Sequence, residues 1–119
     1  MAIATHKGSC HCGAVRYTVE LDTDAEAIEC NCSICGRAGA LLLFAPANKF
    51  TLESGADNLT RYGFNQHRID HSFCKTCGIK SFARGTSRDG SETVAINARC
   101  LEDVDVFTQK RKQFDGKKL

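Results

Sequence analysis

The chain has 119 residues, 42% of them hydrophobic, which suits one domain with a modest core and excludes a disordered polymer. Its formal charge of +2, from 16 Lys and Arg against 14 Asp and Glu, is too small to argue for nucleic acid or a membrane surface as partner. No apolar stretch approaches the roughly 18 residues of a membrane span, and the start "MAIATHKGSC" has no basic segment followed by an apolar run, so no secretory signal is expected.

In chain order, "GSCHCG" comes first, with Cys10 and Cys12 in a turn-rich setting. "AVRYTVEL" (14–21) alternates and places Val15, Tyr17, Val19 and Leu21 on one face of a strand. "ECNCSICGRAG" (29–39) holds Cys30, Cys32 and Cys35, and Ser33 is placed to cap a short helical turn after Cys32. "ALLLFA" (40–45) is continuously apolar and reads as a buried strand, and "KFTLES" (49–54) alternates through Phe50 and Leu52. "LTRYGF" (59–64) and "RIDHSF" (68–73) are further strands, the second with Ile69 and Phe73 on one face and the polar His71 between them. "SFCKTCG" follows with Cys74 and Cys77, then the strands "KSFAR" and "ETVAINA". "LEDVDVFTQ" (101–109) is the remaining helix candidate. The end, "QKRKQFDGKKL", carries Lys110, Arg111, Lys112, Lys117 and Lys118 against Asp115 alone, and residues 110–119 are expected as a solvated basic tail.

The turn clusters "APAN", "SGADN" and "RDGSE" separate these strands, and no linker divides the chain. The expected architecture is a single, mainly β domain over 1–119 with little helix, of sandwich or barrel type.

Eight cysteines are unusual for a chain expected in the reducing cytoplasm, where structural disulfides do not persist and clustered thiols more often bind metal. A C-x-x-C-G turn lets two thiolates point at one ion while glycine frees the backbone to donate N–H groups to sulfur. Two such turns together supply four thiolates to a tetrahedral structural zinc, which assigns Cys10, Cys12, Cys74 and Cys77 to one site. The competing reading of Cys74 and Cys77 as a redox pair needs a helix N-terminus in a βαβ setting, and no such pattern surrounds them.

Cys30, Cys32 and Cys35 make only three corners of a tetrahedron. Cys100, His6, His11, His67 and His71 are the protein candidates for the fourth, alongside a ligand from outside, and a cluster that binds metal weakly or not at all is the remaining alternative. Cys100 alone reads more simply as a small buried hydrophobe. Three protein ligands and an open position are the general form of a catalytic zinc. Three thiolates and zinc sum to −1, a poor setting for activating water and a better one for a soft incoming sulfur. With both sites filled and seven thiols ionised, the chain moves from +2 to about −1, which weakens a nucleic-acid reading further.

"GSCHCGAVRY", "CNCSICGRAG", "SFCKTCG", "INARCL" and "FDG", in this order, resemble the glutathione-dependent formaldehyde-activating enzyme family, which also includes centromere protein V. The resemblance runs from about residue 5 to residue 116. It implies a β-tent of small antiparallel sheets around zinc, a structural zinc at Cys10, Cys12, Cys74 and Cys77, and a second, catalytic zinc at Cys30, Cys32 and Cys35. It implies a carbon–sulfur lyase activity, S-(hydroxymethyl)glutathione formation from glutathione and formaldehyde, with a small thiol and a small aldehyde as partners. Cys100 matches a recurring family position without an assigned role. No general base stands out; His67 and His71 are the candidates.

Overall fold

The computed structural model describes residues 3–63, 69–87 and 89–118, and its ten strands fall into two sheets. β1 (Ala4–Ser9), β2 (Arg16–Leu21) and β5 (Phe50–Ser54) form a three-stranded antiparallel sheet in the order β1-β2-β5. The second sheet has seven strands. They are β3 (Ala27–Cys30), β4 (Leu42–Pro46), β6 (Leu59–Tyr62), β7 (Ile69–Cys74), β8 (Phe82–Thr86), β9 (Glu92–Asn97) and β10 (Arg111–Phe114), in the order β10-β3-β4-β9-β8-β7-β6. All its pairings are antiparallel except β10 with β3, which run parallel. One α-helical turn, α1 (Cys35–Ala38), and a few 3₁₀ turns complete a mainly β domain. No helix among the described residues is long and apolar enough to cross a membrane.

The core lies between the two sheets. The alternation along β2 sends Tyr17, Val19 and Leu21 inward, together with Val15 just before it, all nearly inaccessible to solvent. From the larger sheet come Leu43, Ala45, Phe82, Val94 and Ile96. Tyr17, Phe50 and Phe82 meet at its centre, with ring centroids 4.7–5.8 Å apart in tilted and edge-on arrangements. Such contacts add to the roughly 1.5–3 kcal/mol that burial of each large apolar side chain contributes.

Four expectations change. "ALLLFA" is not buried throughout: Leu43 and Ala45 face the core while Phe44 is 54% exposed, because β4 has one face to the core and one to solvent. On β7 it is His71 that is buried and Ile69 that faces solvent, the reverse of what hydrophobicity suggests. Residues 101–109 form turns rather than a helix. Asp105 accepts from the Phe107 N–H, and the buried Gln109 amide donates to the carbonyls of Thr23, Ala25 and Lys110. These side-chain bonds satisfy the backbone locally and compete with a helical ladder. The basic end is not frayed: residues 111–114 are strand β10, held on β3 by the register Arg111–Ala27 to Phe114–Cys30.

Candidate metal centres

Cys10 ends the chain's passage out of β1, and Cys12 follows in the turn closed by Gly13, whose φ of +83° is favoured by glycine. Cys74 is the last residue of β7, and Cys77 follows in a second turn closed by Gly78, φ +79°. The Gly78 N–H donates to the Cys74 carbonyl, while the N–H groups of Thr76 and Cys77 and the Asn58 side-chain amide point at Cys74 Sγ at 3.3–3.5 Å. The Val15 N–H does the same for Cys10 Sγ at 3.3 Å. These are the two N–H-lined turns expected from the sequence, and the fold brings them together across 62 residues.

The four sulfurs lie within 4.8 Å of one another, with Cys12 Sγ 3.6 Å from both Cys10 Sγ and Cys74 Sγ. That is far beyond a disulfide bond of about 2.05 Å. It is close to the edge of about 3.8 Å of a tetrahedron with metal–sulfur bonds of about 2.3 Å. Proton affinities are split across the group. The Cys77 N–H leads a set of donors that holds the Cys74 thiol down at about 6. At Cys12 the Ala14 N–H favours the thiolate, but desolvation and the surrounding thiols push it up to about 11. Four sulfurs packed this tightly cannot all ionise without a cation among them, and the donor set fits zinc. No helix begins at Cys74 or Cys77, so the redox setting is absent there.

The second group is built on one short loop. Cys30 ends β3, Cys32 lies in the loop, and Cys35 is the first residue of α1. The Cys32 N–H points at Cys30 Sγ and the Cys35 N–H at Cys32 Sγ, each at 3.4 Å. Ile34, not Ser33, occupies the helix N-cap, and no side chain caps it. Burial pushes the Cys32 thiol up, but the Cys35 N–H and the neighbouring sulfurs outweigh it and bring the thiol below its ordinary value. Burial, with the Cys32 and Cys30 thiols, pushes Cys35 up to about 12, the Lys80 ammonium opposing. Lys80 is itself lowered by burial, with the Cys35 and Cys32 thiols pulling the other way.

The three sulfurs lie within 4.8 Å of one another, and no fourth Cys, His, Asp or Glu among the described residues joins them. Cys100 is partly buried, its thiol raised by burial, and its Sγ is 3.9 Å from the Lys80 carbonyl. His6 is bound to Asp103 at 2.7 Å. His11 is exposed, and His71 is buried on β7 with its imidazole held down to about 4 by burial and by Lys80. His67 lies outside the described residues.

Sequence reasoning left the "FDG" segment without a role. Phe114 ends β10, and its carbonyl accepts from the Asn31 N–H. The Asn31 side chain donates to Asp115 and accepts from the Lys117 N–H, at 3.1 and 3.2 Å. Gly116 passes so close to the loop that a Cβ there would lie 2.5 Å from Cys30 Sγ. The C-terminal segment is therefore the wall of the three-thiol loop on one side. Beside this wall, and bordered by it at Phe114 and Asp115, a cavity of about 570 Å³ opens, lined also by Cys30, Cys35, Glu29 and Arg99. A second cavity of about 590 Å³, lined by Cys10, His11, Ala38, Lys80, Arg99 and Cys100 among others, lies beyond Arg99.

The profile of a protein family described as glutathione-dependent formaldehyde-activating enzyme matches residues 5–117. The chain belongs to this family. A crystal structure of a Rhodobacter sphaeroides protein is similar to it, with 37% identity over 91% of this chain and 99% of that one and a TM-score of 0.80. Membership in the formaldehyde-activating family agrees with a function related to glutathione and formaldehyde, and both cysteine groups are compatible with metal ions.

Proposed function

We propose that the chain is a carbon–sulfur lyase of the S-(hydroxymethyl)glutathione synthase type, with a structural zinc at Cys10, Cys12, Cys74 and Cys77 and a second zinc at Cys30, Cys32 and Cys35. The observation that carries this reading is the three-thiol loop, which has no fourth protein ligand among the described residues and faces a cavity large enough for a small thiol. When bound, zinc supplies the loop with a Lewis-acid position that favours an anionic sulfur over water.

The chain's own part is positioning. The N–H groups of Cys32 and Cys35 stabilise negative charge on the loop sulfurs. Gly116 and the Asn31–Asp115 bond keep the loop pressed against β10, so a ligand approaches from the cavity side. Addition of a thiol to formaldehyde forms one carbon–sulfur bond and moves the sulfur's proton to the carbonyl oxygen, so no proton is gained or lost overall. Orientation of the two reactants is the main contribution asked of the protein.

A cytoplasmic setting, rich in low-molecular-weight thiols, suits this activity. The buried position of His71, on β7 within the sheet rather than among the residues lining the loop's cavity, favours a second reading as a non-catalytic thiol-binding or interaction domain. Both readings are tested by giving the zinc-loaded protein glutathione and formaldehyde and following the adduct. Formation faster than the protein-free reaction supports the lyase. A background rate together with calorimetric glutathione binding selects the thiol-binding module, and neither binding nor turnover refutes both the lyase and the thiol-binding module, leaving the interaction domain.

A further inference from the structure

Arg99 is the residue that the two cavities share. It sits in the 3₁₀ turn after β9, and its backbone is fixed because Asn97 Oδ1 accepts from the Arg99 and Leu41 N–H groups. Its side chain is fixed at one point only: Nε donates to the carbonyl of Gly39, the left-handed residue that ends α1, at 3.1 Å. The two terminal nitrogens have no protein acceptor, and no carboxylate pairs with the guanidinium, among the described residues. The helical turn that carries Arg99's anchor begins at Cys35, so the guanidinium is tethered to the element that carries one of the loop's thiols.

The charges around it are ordered. Along the cavity of the three-thiol loop Arg99 is the cation, while the acidic side chains there are already engaged, Asp115 with Asn31 and Glu29 with Arg111 and Gln113. Beyond Arg99, Lys80 lines the neighbouring cavity, partly buried and with no carboxylate partner among the described residues. Arg99, on the wall of both cavities, and Lys80, on the neighbouring one, have no carboxylate partner among the described residues, and Arg99 is the one that presents its charge to an anion in the cavity of the loop. A guanidinium with both terminal nitrogens available matches a carboxylate in two-pronged geometry.

We infer that Arg99, seconded by Lys80, is the specificity-determining anchor for a carboxylate of the thiol that enters the cavity beside Cys30, Cys32 and Cys35. This rests on the reading of that loop as a thiol site and assigns it a residue: Arg99 is what makes thiols carrying a carboxylate, glutathione among them, preferred over neutral or amine-only thiols. Esterified or carboxylate-free thiols would reach the same sulfur position without the anchor.

The test is a ratio. Affinities of the zinc-loaded protein for glutathione and for glutathione diethyl ester are measured by calorimetry, in wild type, Arg99→Met and Arg99→Lys. Zinc per chain and thermal melting serve as controls on folding. Wild type is expected to prefer the acid by about tenfold to a hundredfold, the range for a charge-assisted hydrogen-bonded pair. Arg99→Met is expected to lose that preference while keeping its affinity for the ester, and Arg99→Lys to keep part of it. A purely structural role through the Gly39 bond would lower both affinities together and leave the ratio unchanged, which overturns the anchor. Wild type binding acid and ester equally also overturns the anchor but leaves the thiol site standing. Wild type binding neither overturns both.

Discussion

The two cysteine groups use the same ligand chemistry and the same N–H-to-sulfur turns, yet they are built differently. The group of Cys10, Cys12, Cys74 and Cys77 joins two turns far apart in sequence, one leaving the smaller sheet and one leaving the larger. The group of Cys30, Cys32 and Cys35 comes from six consecutive residues and joins nothing by itself. A metal that ties two sheets of a small domain is coupled to folding, because the unfolded chain cannot present its ligands together. A metal held by a local loop adds little to folding and is free to keep an open coordination position. Closure and openness therefore follow from topology as well as from ligand count.

The sharpest way to break this contrast is to remove one thiol from each group. Cys74→Ser is expected to lower folding stability on the order of 5 kcal/mol, since it opens the ion that ties the sheets. It also removes the sulfur on which the Thr76, Cys77 and Asn58 donors converge. Cys32→Ser is expected to leave the fold in place and take zinc per chain from two to one. Chemical unfolding with elemental analysis reads both. Equal loss of stability in the two variants would refute the division of labour, and one zinc in both Cys32→Ser and wild type would show that the loop holds none.

Much of the first group was legible in the sequence because its chemistry is local: each C-x-C-G or C-x-x-C-G turn prescribes its own geometry, two such turns make up one four-thiol set, and the fold brings that set together. The three-thiol loop was legible for the same reason, and the strand alternation of residues 14–21 identified the core face of β2 directly. What surrounds the loop was not legible. Asn31 and Asp115 are 84 residues apart, and "RKQF" has no alternation and a single apolar residue, the exposed Phe114, so nothing marks it as a strand. β10 exists because its backbone completes the edge of β3, a parallel pairing that depends on the whole intervening chain. Lys80 lies in no motif, and Arg99, though inside "INARCL", had no role read for it there; only the shared cavity wall groups them.

A smaller effect sharpens the picture of β7, which carries Cys74 at its end and His71 inside. Burial, aided by the Lys80 ammonium, holds the His71 imidazole down to about 4 from an ordinary 6.5, with Asp70 opposing. The folded state keeps it neutral where the unfolded state would charge it. Between pH 6.5 and 4 the unfolded chain therefore takes up the extra proton. The corresponding stability is present in full above pH 6.5 and is lost as the pH falls toward 4, by up to about 3 kcal/mol. Acid also protonates the thiols, so the comparison is with His71→Gln, which shares the thiols and lacks the imidazole. Urea unfolding at pH 7 and pH 4.5 is expected to show a larger loss in wild type than in the variant. Equal losses would mean that His71 is accessible to protons in the fold.

The finest test separates the loop from its wall without touching a sulfur. Gly116 has an ordinary backbone conformation for any residue, so alanine there introduces no backbone strain; what it meets is space. The added methyl would sit 2.5 Å from Cys30 Sγ and 2.9 Å from Cys32 Cβ, too close for either to stay where it is. Either β10 lifts away from β3 or the loop sulfurs move apart, and in both cases the loop loses its fit to a single ion. Gly116→Ala is therefore expected to weaken zinc at Cys30, Cys32 and Cys35 selectively. The zinc of the other group should be retained and overall stability should fall by only about 1 kcal/mol. Competition with a chromogenic chelator resolves the two zincs by their rates of release: the faster one should accelerate in the variant and the slower one should not. Acceleration of both would tie the C-terminal segment to the whole domain, and acceleration of neither would show that Gly116 does not press on the loop in solution.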